Sequence, residues 1–471
     1  MIYREFLSTK RIEHKPSGFD PGDGLLNPAF AGGFGWQNDI VRWSLRQGRS
    51  ALFEECGLGK TLQQIVWARE VVNHTGGDVL ILSPLAVAPQ TLREAAKFGV
   101  SDDVEFRVAL DHLEVHRGVS IANYERIHKF DLSRFVGVVL DESSILKSYT
   151  GKIKRQLCDS FRNTPFKLCC TATPAPNDLL ELGNHCDFLN AMPSNEMIAR
   201  WFVNDSMAAG SYRLKKHAAR DYWRWVASWA ISISKPSDLG YPDDGFELPP
   251  LEVTQHVVES DEMKAPPGML FNAAAISATN LHAEKRCTAN DRAIAVAEVV
   301  NASTETFVCW CDTNYEADEL TKLIPGCVEV RGADAIRQKE QRIDAFSRGD
   351  ARVIVTKPDI AGHGLNWQHC HNQCFIGLSY SFEKFYQAVR RSWRYGQRSP
   401  VRVRVFQTEG EAAISSIVFS KQDAHSRMKS EMTDAMKEQQ LVNLYGRKRI
   451  ENYKPENKME IPTWLRTKSN A

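Results

Sequence analysis

Short apolar runs recur along two stretches of the chain, and polar, helix-like segments separate each run from the next. In the first stretch the runs are Ser50 to Phe53, Val79 to Leu82, Val119 to Ala122, Val136 to Leu140 and Leu168 to Cys170. In the second they are Phe307 to Trp310, Cys327 to Val330, Val353 to Val355, Phe375 to Leu378 and Val401 to Val405. Runs this short, alternating with helix-length segments, predict buried parallel strands with crossover helices. The pattern therefore predicts an α/β chain in which one architecture, a parallel sheet flanked by helices, is used twice. No repeat is visible in the residues themselves, so the repetition is one of pattern only.

Between the two series the character changes. Trp201, Trp223, Trp225 and Trp229 are followed by a stretch rich in Pro and Asp from Lys235 to Pro250. The expected organisation is a first lobe over 1–190, a small helical insertion and inter-lobe linker over 191–250, a second lobe over 251–440 and a basic tail over 441–471. Trp225 and Trp229 are spaced i, i+4. They read as packing on one helical face, with a DNA wedge as the sharper alternative.

Composition narrows the class. The 471 residues suffice for two or three domains at roughly 150 residues each. Hydrophobic residues at 43% and charged residues at 25% are ordinary for a globular chain, and no apolar run approaches the ~18 residues of a membrane span. No membrane association is expected. The first twenty residues resemble neither a secretory leader nor a transit peptide, so an intracellular location is expected. Eleven cysteines without a C-x-x-C pair point to reduced thiols. The group His369, Cys370, His371 and Cys374 is too closely spaced for the usual structural zinc site, and no structural metal is expected.

Charge is informative only locally. Lys plus Arg number 59 and Asp plus Glu 58, for a formal balance of +1. From Lys384 to Arg404, however, seven basic residues and no acidic ones stand among Phe385, Tyr386, Trp393 and Tyr395. Phosphates of DNA or of a nucleotide are the candidates to neutralise them, against a merely solvated basic helix face.

The chemistry starts after the first strand. Glu54-Glu55-Cys56-Gly57-Leu58-Gly59-Lys60-Thr61 leads into the helix-like Leu62 to Arg69, which makes strand, phosphate loop and helix. Gly57 and Gly59 let backbone N–H groups approach phosphates, Lys60 can reach the β- and γ-phosphates, and Thr61 can ligand Mg²⁺. Glu54 stands where the general G-x-x-x-x-G-K-[ST] pattern has its first glycine. Downstream, the apolar Val136 to Leu140 ends in Asp141-Glu142, acids at the end of a buried strand. Asp141 is expected to hold Mg²⁺ and Glu142 to orient and deprotonate the attacking water. In the second series, Arg391 and Arg394 lie three apart and would share a helix face, aimed at a γ-phosphate from the opposite lobe.

These residues resemble superfamily 2 helicases, and within them the Swi/Snf-type DNA translocases, from about Gln37 to Gln422. Gln37 with Trp43 looks like the adenine-reading glutamine segment, and Glu55 to Thr61 like D-E-M-G-L-G-K-T. Ser83-Pro84-Leu85 and Asn123-Tyr124-Glu125 resemble motifs Ia and Ib, which in the family contact DNA backbone. Asp141-Glu142 with Lys147 resembles D-E-x-H-x-x-K-N, and Thr171-Ala172-Thr173-Pro174 with Asn177 resembles T-G-T-P-x-Q-N. Phe246 to Pro250 resembles the L-P-P that opens the second lobe. Gly362 to Asn366 is similar to G-x-G-I-N, and Gln387 to Gln397 to Q-A-x-D-R-x-x-R-I-G-Q. Ser144 departs from the fourth-position histidine, and Arg390 from the usual acid.

The resemblance implies two tandem RecA-like lobes and a compact ATP- and Mg²⁺-dependent motor of the kind carried by phages or bacteria, with the cytoplasm of a bacterium or phage-infected cell as the expected location and the nucleus as the alternative. It implies ATP contacts from Gln37, Glu55, Cys56, Gly57, Leu58, Gly59, Lys60, Thr61 and Gly364. DNA contact or coupling would come from Ser83, Pro84, Asn123, Tyr124, Thr171, Thr173, Asn366 and Gln387. The expected partner is double-stranded DNA, with single-stranded or branched DNA and a specificity-giving protein as further possibilities. Translocation with remodelling of DNA or protein–DNA complexes is the leading expectation. A strand-separating or branch-processing helicase is the alternative, and a non-catalytic DNA-binding scaffold is disfavoured because Lys60, Asp141, Glu142, Arg391 and Arg394 are all present.

Overall fold

The computed structural model describes residues 14–84, 87–147, 151–204, 212–259, 284–361 and 365–445. Seven strands form the first sheet: β1 (Arg49–Glu54), β2 (Asp78–Ser83), β3 (Phe106–Val108), β4 (Val119–Asn123), β5 (Phe135–Asp141), β6 (Phe166–Cys170) and β9 (Ala230–Ile233). They pair in the order β3-β4-β2-β5-β6-β1-β9, every pair parallel. The central strands are apolar and buried on both faces, as a parallel sheet covered by helices on both sides requires. A two-stranded antiparallel ribbon, β7 (Phe202–Asn204) and β8 (Tyr212–Leu214), projects from this lobe.

The second sheet holds β10 (Leu251–Val257), β11 (Phe307–Trp310), β12 (Val328–Val330), β13 (Val353–Thr356), β14 (Asn372–Phe375) and β15 (Val401–Gln407). Its order is β10-β15-β14-β11-β13-β12, again all parallel. The α/β architecture of two tandem parallel sheets is thus as the hydrophobic pattern predicts.

Several boundaries differ from that pattern. Residues 230–233, expected within the insertion between lobes, are the edge strand β9 beside β1. Strand β14 lies three residues before the predicted Phe375 to Leu378. Its polar residues are buried and satisfied: Asn372 Nδ2 donates to Glu305 at 2.8 Å, and Gln373 accepts from Trp310 Nε1 at 2.8 Å while donating to Val389 O at 3.0 Å. Apolarity alone cannot register a strand whose polar side chains find partners in the core. The helix Ala412–Tyr445 runs past the expected end of the second lobe and packs back on the first, beside β9 and the helix Ala219–Val226.

Trp225 and Trp229 are buried in the first lobe's core. Trp225 stacks on Trp201 with ring centroids 4.6 Å apart and meets Trp229 edge-on at 5.6 Å. Their helix ends at Val226, so tertiary packing rather than a shared helical face unites them. No helix among the described residues is long and apolar enough to cross a membrane.

Candidate functional site

Strand order explains why the site assembles. β5, β6 and β1 are neighbours, so their carboxyl ends bring Asp141-Glu142, Thr171 to Thr173 and the loop after Glu54 side by side. Ligands of parallel α/β sheets bind at this edge. The loop passes through Gly57 and Gly59, both in the left-handed region at φ +92° and +81°. A Cβ at position 59 would collide with the Gln37 amide, and one at position 57 would press on the Tyr395 ring from the second lobe. The helix Lys60–Thr75 starts directly on this turn, so its first N–H groups, which have no intrahelical acceptors, face the loop.

Lys60 Nζ donates to the carbonyls of Glu54 and Glu55 at 2.8 and 3.0 Å, which holds the ammonium inside the loop. Gln37 Nε2 donates to Leu58 O at 2.7 Å, so the buried glutamine braces the loop. Glu54 is fully buried, accepts from Gln63 at 2.8 Å, and burial pushes its carboxyl up to about 7 against the pull of Lys60 and Gln63.

Asp141 accepts from Gln64 Nε2 at 2.8 Å, and its backbone carbonyl accepts from Tyr124 OH at 2.7 Å. Burial, and then the adjacent Glu142, hold the Asp141 carboxyl above its ordinary value. Such a carboxyl has a deficit of positive charge near it, which a cation would supply. Glu142 has φ +56°, a conformation a non-glycine residue adopts only under local constraint. Thr171 Oγ1 donates to it at 3.4 Å and accepts from Thr173 N at 3.1 Å.

The second lobe supplies the opposite wall. The helix Phe382–Val389 ends before the arginines, so Arg391 and Arg394 do not share a helix face as their spacing predicts. They lie in the turns that follow, and both donate to Leu365 O, at 3.1 and 3.3 Å. Burial lowers both guanidinium groups, Arg394 to about 10 with Arg391 adding to the effect. Arg394 Nε is buried without a hydrogen-bond partner among the described residues.

Other predicted positions fall differently. Ser83, Tyr124, Thr171, Thr173 and Gln387 are buried, so these five present no surface to a DNA backbone in this arrangement. Pro84 and Asn123 are half-buried, the Asn123 side chain capping the following turn at Glu125 N, and Asn366 is exposed. Cys56 and Thr61 are half-buried in the loop, and Leu58 is buried beneath it. Leu85 and Gly364 lie outside the described residues. The basic stretch is largely paired within the protein. Lys384 meets Asp359 at 2.7 Å, Arg390 meets Glu55 at 3.0 Å and Arg402 meets Glu252 at 3.6 Å, while Arg398 is exposed. It is therefore not a wholly free basic stripe.

Residues that were not among the expected site residues also shape the site. Phe246, in the connector between the sheets, packs edge-on against Trp36 of the first lobe at 5.6 Å and against Tyr395 of the second at 5.4 Å. Tyr395 OH donates to Ser234 O, and Trp393 Nε1 donates to Pro249 O at 2.8 Å. Lys147 pairs with Glu383 across the lobes. Lys429, from the helix Ala412–Tyr445, reaches Glu55 at 3.1 Å. Nothing in the local sequence around Lys429 marks it, because a polar residue in a long helix is ordinarily solvated.

Residues 36–224 match the SNF2-related domain. No curated protein matches the chain. Among solved structures, Saccharomyces cerevisiae Dbp5 bound to RNA and ADP BeF3 is similar in fold. The two share 11% sequence identity at a TM-score of 0.54, over 85% of this chain and 93% of that one. The likeness establishes the tandem RecA-like fold of the helicases. Residues 36–224 thus carry the SNF2-related domain, and the chain as a whole has the tandem RecA-like fold.

Proposed function

We propose that the protein is an ATP-hydrolysing motor that translocates on double-stranded DNA and remodels DNA or protein–DNA complexes. The observation that carries the ATPase part is the facing of two walls. Lys60, Asp141 and Glu142 stand on one lobe, and Arg391 and Arg394, gathered on Leu365 O, stand on the other. The match of residues 36–224 to the SNF2-related domain, with the resemblance of the motifs to DNA translocases, supports double-stranded DNA as the track.

The residues fit a nucleoside triphosphate with Mg²⁺. A glycine-shaped loop at a helix N-terminus, a lysine held within it, an electropositive deficit at Asp141 and an unpartnered buried Arg394 Nε are what such an anion and its cation would complete. Gln37, Glu55 to Thr61 and Gly364 would hold ATP, with Thr61 and Asp141 holding Mg²⁺. When bound, they supply the phosphoanhydride and neutralise its charge. Glu142 orients a water and takes its proton, and Thr171 fixes the Glu142 carboxylate. Arg391 and Arg394 offset charge developing on the transferred group. Hydrolysis then requires that the lobes be together.

The deciding measurement is the ATPase rate of the full chain without nucleic acid and with single-stranded DNA, duplex DNA or RNA. Stimulation strongest with duplex, together with triplex displacement and little duplex unwinding, is the expected result. Preference for RNA or efficient unwinding of plain duplex would reject the track or the translocase reading. Lys60→Ala and Glu142→Gln are each expected to abolish turnover while leaving DNA binding in place.

A further inference from the structure

The Glu55 carboxylate is where three separate parts of the chain meet. It accepts from its own loop at Cys56 N (2.9 Å), from Tyr386 OH on the second lobe, and it pairs with Arg390 at 3.0 Å and with Lys429 at 3.1 Å. Arg390 also donates to Cys56 O at 2.9 Å, and Lys429 to Ala172 O at 3.3 Å, in the loop after β6. Both cations are buried, Arg390 1% and Lys429 4% exposed. The Arg390 guanidinium is further enclosed by the rings of Trp393, Tyr386 and Tyr395, at 4.8 to 5.9 Å from their centroids.

This cluster differs from a passive ion pair in what lies beyond it. The Glu55 carbonyl is one of the two that hold Lys60 Nζ, and the Glu54 carbonyl is the other. A displacement of the second lobe or of the helix Ala412–Tyr445 therefore acts on Glu55, and through its backbone on the acceptors of Lys60. Separating the lobes without moving the loop would break the Arg390 pair with Glu55 and the Tyr386 hydrogen bond to it. Arg390 stands at the position where the resemblance leads one to expect an acid. An acid there would repel Glu55, so the basic residue is what makes the cluster possible.

We propose that Arg390 and Lys429 are positioning residues of the hydrolytic site. By clasping the Glu55 carboxylate they set the phosphate loop and Lys60, and they make the helix Ala412–Tyr445 part of the ATPase machinery. The inference rests on the ATPase reading above.

The test is steady-state ATP hydrolysis by the full chain under saturating nucleic acid, with kcat and KM separated. Lys429→Met is expected to lower kcat on the order of tenfold with KM for ATP changed less than about threefold, and Lys429→Arg to restore most of the loss. In a double-mutant cycle with Glu55→Gln the losses are expected not to add, because both remove one interaction. Unchanged kcat in Lys429→Met, additive losses, or a parallel fall in kcat and ATP affinity that Lys429→Arg does not rescue would each overturn the inference. Should circular dichroism show Lys429→Met unfolded, Glu55→Gln, nearly isosteric, carries the same kcat-against-KM test alone. An unaltered chain that hydrolyses no ATP with any nucleic acid would instead overturn the ATPase reading.

Discussion

Glu54 and Glu55 are adjacent in sequence and opposite in electrostatic state. Burial dominates at Glu54 and raises it to about 7, whereas at Glu55 burial is outweighed by Arg390, Lys429 and the Tyr386 hydroxyl, which hold it well below the usual carboxylate range. A carboxyl raised in the folded state binds its proton more tightly there than when unfolded. The Glu54 contribution to stability therefore falls as pH rises from its ordinary value of 4.5 to about 7. Glu54→Gln, which keeps an acceptor for Gln63, is expected to raise the melting temperature relative to the unaltered chain at pH 8 and to have little effect at pH 4.5. An equal shift at both values would show that Glu54 does not titrate in that window. At Arg391, Ala substitution is expected to lower hydrolysis more than ATP affinity, because its contact is made chiefly in the closed transition state. Equal losses would make Arg391 a structural residue that ties the turn to Leu365. The loop after β1, Asp141-Glu142 and both arginines could be singled out in the sequence because phosphate chemistry asks for those residue types in that order. Lys429 was not legible, since its partner lies 374 positions away in the chain.

Among the elements, nine of the ten predicted strands lie within one or two residues of those observed, and the tenth, β14, lies three residues earlier. β10 alternates half-buried and exposed positions at the sheet edge, a period-two pattern with too few apolar residues to stand out. β9 was hidden by its neighbourhood of tryptophans, which themselves belong to the core. Trp225→Ala would empty a site enclosed by Trp201, Tyr222 and Trp229 and is expected to destabilise the first lobe by about 3–5 kcal/mol. Chemical denaturation reads this directly, and a loss under about 1 kcal/mol would mean the indole is not packed as described. The helix before Arg391 and Arg394 also illustrates a limit of periodicity. Spacing of three implies a common face only while the helix lasts, and it ends at Val389.

For the whole molecule, the arrangement of the lobes is held by contacts of different kinds: the helix Ala412–Tyr445, which buries Met432 and Met436 in the first lobe's core, the Phe246 ring between Trp36 and Tyr395, the Glu55 cluster, and Lys147 with Glu383. The Lys147 side chain is 45% exposed, so that pair contributes at most about 1 kcal/mol. Lys147→Glu sets a like charge against Glu383 and is expected to enlarge the radius of gyration seen by small-angle scattering without lowering thermal stability appreciably. An unchanged radius would assign lobe closure to the other contacts. By itself the sequence determined that two parallel sheets form and which loop, acids and arginines have the residue types of a phosphate site, because strand burial and phosphate chemistry each impose a local pattern of residue types. Only the tertiary structure decided that most of the basic stretch is paired within the protein, that five of the expected DNA-contacting or coupling residues are buried, and that a distant helix reaches the phosphate loop. Whether a charge is free or paired depends on what folds against it, and that is a property of positions far apart in the chain.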